Sequence, residues 1–330
     1  MKLKVMSLVT AAALCCSLVA GSMAVMADEG GAAEPKNGDK YVIGYTYYYS
    51  SEFITLMNEG IEEKCDELGL DLIALDAEND ASNQITQVEN LIAQDVDCLY
   101  IAAVDSDAIV PSLDMAKEAN IPVVYVNMTV NTDEDYYYSG PDDVLAGELE
   151  MQAAIDAIGG EGNICVLEGP IGQSAQIDRW TGNENVLNSD AGANINLLTH
   201  QTANWSREEA ETMTENWLEG FADEGIDAIV AHNDEMALGA IMAIEAKGLV
   251  PGEDIIVTGV DAIEDGCNAV KDGKLLSTVY QDAKLEGGQG IEICYGILTG
   301  NPPAEYINLI DMTQYTQDNV DELLTTLYAD

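Results

Sequence analysis

Short apolar runs alternate with amphipathic stretches along this chain from Tyr41 onward, and no other feature restricts its fold as much. Residues 41–47, 71–76, 98–103 and 123–127 are apolar runs of strand length. Between them, Phe53, Leu56, Met57, Ile61 and Leu68 mark one face of a helix that Gly69 is placed to end. Ile85, Val88, Leu91 and Ile92 mark a second helix, and residues 109–119 a third, before Pro122 opens the next strand. After Gly140 the alternation resumes. Helices are predicted at 144–158, 174–187, 208–218 and 235–246, and strands at 163–168, 195–199, 228–231 and 255–260. Strands separated by helices pair in parallel sheets covered on both faces. Right-handed crossovers make each half a doubly wound α/β unit. At ~100–200 residues per domain, the length predicts two such units.

Two short segments look like counterparts in the two halves, D-C-L-Y-I-A-A-V-D at 97–105 and D-A-I-V-A-H-N-D at 227–234. Each is an apolar strand running into a polar turn that starts a helix. Asp105 and Asn233 therefore fall at carboxyl ends of strands, where open α/β sheets bind ligands.

Sixty acidic residues face 12 basic ones, a formal net charge of −48. Binding a polyanion needs clustered Lys and Arg, so nucleic acid is excluded as a partner, and an anionic membrane surface with it. The charge serves solubility. Lys2 and Lys4, an apolar stretch over residues 5–20, and Val25-Met26-Ala27 with small residues at −3 and −1 form a secretory signal peptide cleaved after Ala27. The apolar run is short of the ~20 residues that a membrane span needs. The residues before Cys15 and Cys16 fit a lipid-attachment motif poorly. Cleavage leaves 10 bases against 60 acids, or −50, and five cysteines: Cys65, Cys98, Cys165, Cys267 and Cys294. An odd number cannot all pair, and none has zinc-site spacing, so they read as small buried hydrophobes. Residues 28–40, rich in Gly, Ala and acids, read as a flexible leader.

No phosphate loop is present, no strand is followed by G-x-G-x-x-G, and no H-E-x-x-H occurs, so the sequence implies neither cofactor nor metal. His200 and His232 are the only histidines, which leaves few candidates for a His-based triad, and no catalytic residue is assigned. What stands out is a polar and aromatic set at predicted strand ends: Tyr47, Phe53, Asn127, Arg179, Trp205, Asn233, Asp261 and Gln281. Polyols need this mixture. Carboxylates and amides pair with adjacent hydroxyls, and aromatic faces cover the C–H faces of a ring.

At these residues the chain resembles the periplasmic sugar-binding proteins of the ribose-binding type, the extracytoplasmic receptors of ABC sugar importers. The resemblance runs from about Tyr41 to Gly300. It is most specific at A-H-N-D-E-M-A-L-G-A (231–240), with D-S-D-A (105–108), A-N-I-P-V-V (119–124), D-D-V-L-A-G (142–147), G-V-D-A-I-E-D-G (259–266) and D-G-K-L-L-S-T-V-Y-Q (272–281) in the family's order. It implies a periplasmic binding protein type I fold, with two doubly wound parallel-sheet lobes joined by a three-crossing hinge. The first lobe would hold residues 41–141 plus 282–306 and the second 142–281 plus 307–330. The crossings would lie near Gly140–Pro141, Gln281–Asp282 and Tyr306–Asn308.

The resemblance also assigns roles. Asn233, Asp261 and Gln281 match hydroxyl-binding positions of the second lobe and hinge, Arg179 that lobe's ligand-binding arginine, and Trp205 its stacking aromatic. Phe53 and Ile54 match the paired aromatics of the first lobe, and Tyr47 and Ser51 its polar loop positions. Asn127-Met128 departs from the family's usual Asp-Arg, and Ser51-Glu52-Phe53-Ile54 from its N-P-F-F. The lost charges remove a bidentate grip, which points away from ribose to another sugar, a furanose or a cyclic polyol.

The implied function is capture of a carbohydrate between the lobes and delivery to a membrane ABC permease by a monomeric receptor, with a chemoreceptor as a further candidate partner. Three rivals stand beside it: the same fold binding a non-sugar signal or nucleoside, a sugar-modifying enzyme, and a sugar-responsive repressor, whose DNA-binding domain would occupy the place of the signal peptide. Asn233 and Asp261 have a plainer reading as helix caps, Arg179 as a surface ion-pair partner, and Phe53 and Trp205 as core. Among the tyrosines at 45–49, alternation leaves open which one faces the cleft.

Overall fold

The computed structural model describes residues 32–328; the expected signal peptide, Cys15 and Cys16 lie outside the described residues. In chain order the elements of the first half are β1 (Val42–Tyr47), α1 (Glu52–Leu68), β2 (Asp71–Asp76), α2 (Ala81–Ala93), β3 (Cys98–Ile101), α3 (Val110–Glu118), β4 (Val123–Val126) and β5 (Tyr137–Pro141). There follow α4 (Asp143–Ala157), β6 (Glu161–Glu168), α5 (Ser174–Leu187), β7 (Asn194–Thr202), α6 (Arg207–Gly220), β8 (Ala228–Ala231), α7 (Asp234–Ala246), β9 (Ile256–Asp261), α8 (Glu264–Lys271) and β10 (Ser277–Tyr280). The chain ends with α9 (Ala283–Leu298), β11 (Ile307–Ile310), β12 (Thr313–Thr316) and α10 (Val320–Leu327).

The strands form two six-stranded sheets of the same plan, β11-β5-β4-β3-β1-β2 and β12-β10-β9-β8-β6-β7. Every pairing between named strands is parallel except β10 with β12. The order therefore reverses beside β1 in one sheet and beside β6 in the other, and a crevice opens at the carboxyl ends there. Helix starts are set by short polar caps. Ser51 Oγ accepts from Ile54 N, Asp142 Oδ1 from Leu145 N and Asn233 Oδ1 from Met236 N. Gly69 ends α1 at φ 69°, a left-handed conformation that glycine takes without steric cost.

The chain passes between the sheets after β5, after β10 and after β11. The third passage lies at Asp311–Met312, not near Tyr306–Asn308, because β11 pairs with β5 in the first sheet through Ile307 opposite Tyr138. Residues 307–310 thus belong to the first lobe. The described part of the expected leader carries no helix or strand but is tied to the first lobe. Ala33 N donates to the Leu298 carbonyl at 2.8 Å and Lys36 N to Asp97 Oδ1 at 2.9 Å.

The two cores differ in chemistry. Tyr45, Tyr100, Tyr125 and Tyr138 are fully buried around the first sheet. The second sheet buries Ile164, Val166, Ile229 and Val230. All five cysteines among the described residues are buried and unpaired.

Candidate functional site

A narrow cleft lies between the two sheets' carboxyl ends, with about 30 Å³ of room inside it. The first lobe lines it with Tyr48, Tyr49, Ser51, Phe53, Asn127 and Met128, the second with Ala175, Arg179, Trp205, Asn233 and Asp261, and the hinge with Gln281. Three of these, Asn127, Trp205 and Asp261, have positive φ (60°, 59° and 111°). Backbone strain of order 1–3 kcal/mol per residue persists only where the surroundings over-determine it, typically at ligand clamps.

The second-lobe wall is built around Arg179. Helix α5 lies close on α4 at Gly147, where a β-carbon would come within 2.0 Å of the Arg179 carbonyl. The guanidinium is buried. Nε donates to Asp143 Oδ1 at 2.8 Å and Nη1 to the His232 carbonyl, and Asp261 Oδ1 lies 3.9 Å from Nη1. That leaves Nη2 for the cleft. Behind Arg179, Asn183 Nδ2 donates to Glu150 Oε1 at 3.0 Å, and His232 Nε2 lies 3.1 Å from Asn183 Oδ1. Burial, and then the Arg179 charge, hold His232 well below its ordinary range, so it is neutral.

Trp205 sits against Gly169, where a β-carbon would come within 1.9 Å of the indole. Its Nε1 donates to Gln173 Oε1 at 2.6 Å, and Arg179 Cζ lies 5.6 Å from the ring centroid. With its N–H engaged, the indole offers the cleft a flat face. Asp261 ends β9. The loop after it is held by Ala262 N donating to Thr278 Oγ1 at 3.0 Å and Ile263 N to Asp234 Oδ2 at 3.1 Å. Gln281 Nε2 donates to Asp261 Oδ1 at 2.5 Å, and Gln281 Oε1 is buried without a partner. Burial pushes the Asp261 carboxyl up to about 7, against the opposing pull of Arg179 and the Gln281 bond.

The first-lobe wall carries no charge. Tyr48 donates its hydroxyl to Asn127 Oδ1 at 3.0 Å. Phe53 and the Tyr49 ring add apolar surface. Among the described residues Arg179 and Asp261 are the only charged ones in the lining, so their charges offset and the cleft suits a neutral, polyhydroxylated molecule. Asp261, Gln281 Oε1, Arg179 Nη2 and the Asn233 amide supply acceptors and donors, and Trp205 supplies a ring face.

Of the sequence-predicted residues, Ser51, Phe53, Asn127, Arg179, Trp205, Asn233, Asp261 and Gln281 line the cleft, while Tyr47 and Ile54 do not. Tyr47 is the last residue of β1 and stacks on Tyr45 at 5.2 Å between centroids. The tyrosines that reach the cleft are the next two, in the loop beyond the strand, where two-residue alternation no longer decides direction. Ile54 lies one position past Phe53 on α1 and turns into the core, 1% exposed. Met128 and Ala175 were not marked by the sequence, since neither residue type signals a polar site. Asp105 does not line the cleft; it caps the following turn, its Oδ1 accepting from Ala108 N at 2.7 Å. Asn233 both caps α7 and lines the cleft.

Contacts across the cleft mouth hold the lobes together. Ser106 N and Oγ both donate to the Gly172 carbonyl, at 2.9 and 3.0 Å. Thr129 N donates to Ser174 Oγ at 2.9 Å, and Glu264 N to Glu52 Oε1 at 3.0 Å.

Comparison with known proteins places this architecture. Residues 43–302 match the family model described as periplasmic binding protein domain. A xylitol-binding protein of Mycolicibacterium smegmatis is 35% identical over 285 residues, covering 86% of this chain and 80% of that protein. The ribose import binding protein RbsB of Bacillus subtilis is 34% identical, covering 81% of this chain and 86% of that protein. Among solved structures, an ABC transporter solute-binding protein from Bacillus halodurans with bound myo-inositol superposes with a TM-score of 0.79 at 33% identity, covering 89% of this chain and 98% of that one. With the doubly wound twin sheets and the cleft at their carboxyl ends, these matches show that the chain belongs to the periplasmic binding proteins, a family of extracytoplasmic receptors rather than enzymes.

Proposed function

We propose that this protein captures a neutral sugar or cyclic polyol in the cleft between its lobes and delivers it, unaltered, to a membrane ABC permease. It acts as a monomer, after removal of the signal peptide behind Ala27. The observation that carries the reading is the cleft lining: one cation, one carboxylate, side-chain amides with a donor or acceptor to spare and an indole face, with an uncharged opposite wall. Relatives that bind xylitol and ribose, and a structural neighbour with bound myo-inositol, support the ligand class. Asn127 favours a ligand whose hydroxyls need no bidentate charged grip on the first-lobe side. Ligand touching both walls shifts the population towards the closed form, which the permease recognises.

A thermal-shift panel of pentoses, hexoses, inositols, acyclic polyols and nucleosides tests this. A cognate ligand at a hundredfold excess over Kd stabilises by about 2.7 kcal/mol. The reading predicts that a neutral polyol gives the largest shift and is recovered chemically unchanged. Stabilisation by nucleosides alone, or conversion of the ligand, would contradict it.

A further inference from the structure

Behind the uncharged wall of the cleft stands a carboxyl group that the lining does not include. Glu286 lies in the first turn of α9, just beyond the hinge residues Gln281 and Asp282, and is completely buried. Its Oε2 accepts from Asn127 Nδ2 at 3.0 Å, while Oε1 is buried with no partner. Asn127 is thus gripped at both ends of its amide, Nδ2 by Glu286 and Oδ1 by the Tyr48 hydroxyl. Its backbone is fixed as well. Asn127 N donates to the Ser139 carbonyl at 2.9 Å, and the Asn127 carbonyl accepts from Tyr138 at 3.1 Å. The Glu286 turn is itself anchored, its carbonyl accepting from Ser139 Oγ at 3.0 Å.

An asparagine amide has two nearly isosteric orientations that exchange a donor for an acceptor. With Nδ2 on Glu286 and Oδ1 on Tyr48, one orientation is selected. One N–H and one lone pair remain to face the cleft, at fixed places. We propose that Glu286 is a positioning residue for ligand selection: through Asn127 it fixes where the first-lobe wall donates and where it accepts, and so decides which hydroxyl stereochemistry the cleft takes. This rests on the reading of the cleft as a polyol site. Burying a carboxyl is costly and persists here although an apolar residue of the same volume would fill the space, which fits a role in specificity rather than in stability.

Burial pushes the Glu286 carboxyl above its ordinary range, and glutamine keeps its shape and an acceptor oxygen for Asn127 Nδ2. The test uses Glu286→Met, which keeps the volume and removes the acceptor, Glu286→Gln, which keeps an acceptor, and Tyr48→Phe, which frees the other end of the amide. Two readouts are taken. The first, made without ligand, is the NMR signal of the Asn127 side-chain amide pair. It should be well dispersed in the parent and in Glu286→Gln, and collapse towards free-asparagine positions in Glu286→Met. The second is the ratio of Kd values for the best polyol of the panel and its nearest epimer. Glu286→Met should lower that ratio about tenfold or more, Tyr48→Phe should move it in the same direction, and Glu286→Gln should restore it to within about threefold of the parent. An unchanged amide signal in Glu286→Met, or an unchanged ratio with both affinities falling together, would overturn the proposal. The amide readout needs no ligand, so failure of the polyol reading leaves it intact, whereas failure of the clamp shows in it directly.

Discussion

The two walls of the cleft solve the same problem with different chemistry. The second-lobe wall grips through charge. Arg179 is held by Asp143 and the His232 carbonyl, faces Asp261 and lies beside the Trp205 ring. The first-lobe wall has no charge and shapes the cleft with tyrosine and phenylalanine rings and one clamped amide. A charged wall contributes strength, because hydrogen bonds to ionised groups exceed those between neutral ones. A neutral wall contributes selection, because an amide held in one orientation leaves a misplaced hydroxyl unpaired. Affinity should therefore break on the second-lobe side, and preference among ligands on the first.

The largest effect expected is on the buried ion cluster. Arg179→Met leaves Asp143 and Asp261 buried without their counter-charge, which should cost about 3–5 kcal/mol of stability and abolish measurable binding. Chemical denaturation and calorimetry read both. Parent-like stability would mean that the cluster does not hold this wall. Next is Asp261→Asn, which removes a charged acceptor and keeps its shape. Kd for the best polyol should rise about 10- to 150-fold, corresponding to about 1.5–3 kcal/mol, with little change in fold. A Kd within twofold of the parent would take Asp261 out of the grip.

The pH dependence is somewhat smaller and has a definite sign. The folded, unliganded Asp261 titrates near 7, above its ordinary 3.8, so the folded state holds that proton more tightly than the unfolded chain. Its contribution to stability is present below about pH 4 and lost as pH rises to 7. Ligand hydroxyls donate to the carboxylate and favour the ionised form, so affinity should weaken as pH falls through 7. The drop from pH 8 to pH 6 should be about tenfold, and absent in Asp261→Asn. A flat profile in the parent would show that the carboxylate does not receive ligand hydroxyls.

Trp205→Ala removes the ring face and its contact with Arg179, worth about 1 kcal/mol beyond area, so Kd should rise about fivefold or more. Unfolding instead would make Trp205 a core residue. The smallest effects separate neighbouring tyrosines. Tyr49→Phe should change Kd by about threefold to tenfold and Tyr47→Phe not at all. The reverse order would return the site to the residue that the sequence marked.

That last pair shows where the sequence was legible. Asn233 starts a helix, Asp261 ends a strand and Arg179 lies inside α5; all three are polar groups whose burial without a partner is costly, so residue type alone carries the signal. They all line the cleft. The neighbours Tyr47, Tyr48 and Tyr49 are alike in type, and the end of β1 at Tyr47 removes the alternation that would have chosen among them. Glu286 could not be found from pattern, since it is one acid among 60 until α9 places it behind Asn127. Helix α9 was itself hidden. Gly287, Gly288, Gly290 and Gly296 weaken its intrinsic preference, and it is helical because α1 packs closely on it, with a β-carbon at Gly60 reaching within 2.1 Å of the Lys284 carbonyl. The strands β5, β10, β11 and β12 are as short as β3, β4 and β8, but polar residues, or Gly and Pro, interrupt them where those three are unbroken apolar runs.

Amide hydrogen exchange, with and without the strongest polyol from the panel, tests capture between the two lobes without any substitution. Ligand held between the walls should slow exchange in both lobes at once, around residues 48–53 and 127–128 on one side and 205, 233 and 261–262 on the other. Protection confined to one lobe, or centred on the outer groove of Thr199, Trp217 and Phe221, would place the ligand elsewhere and contradict the account.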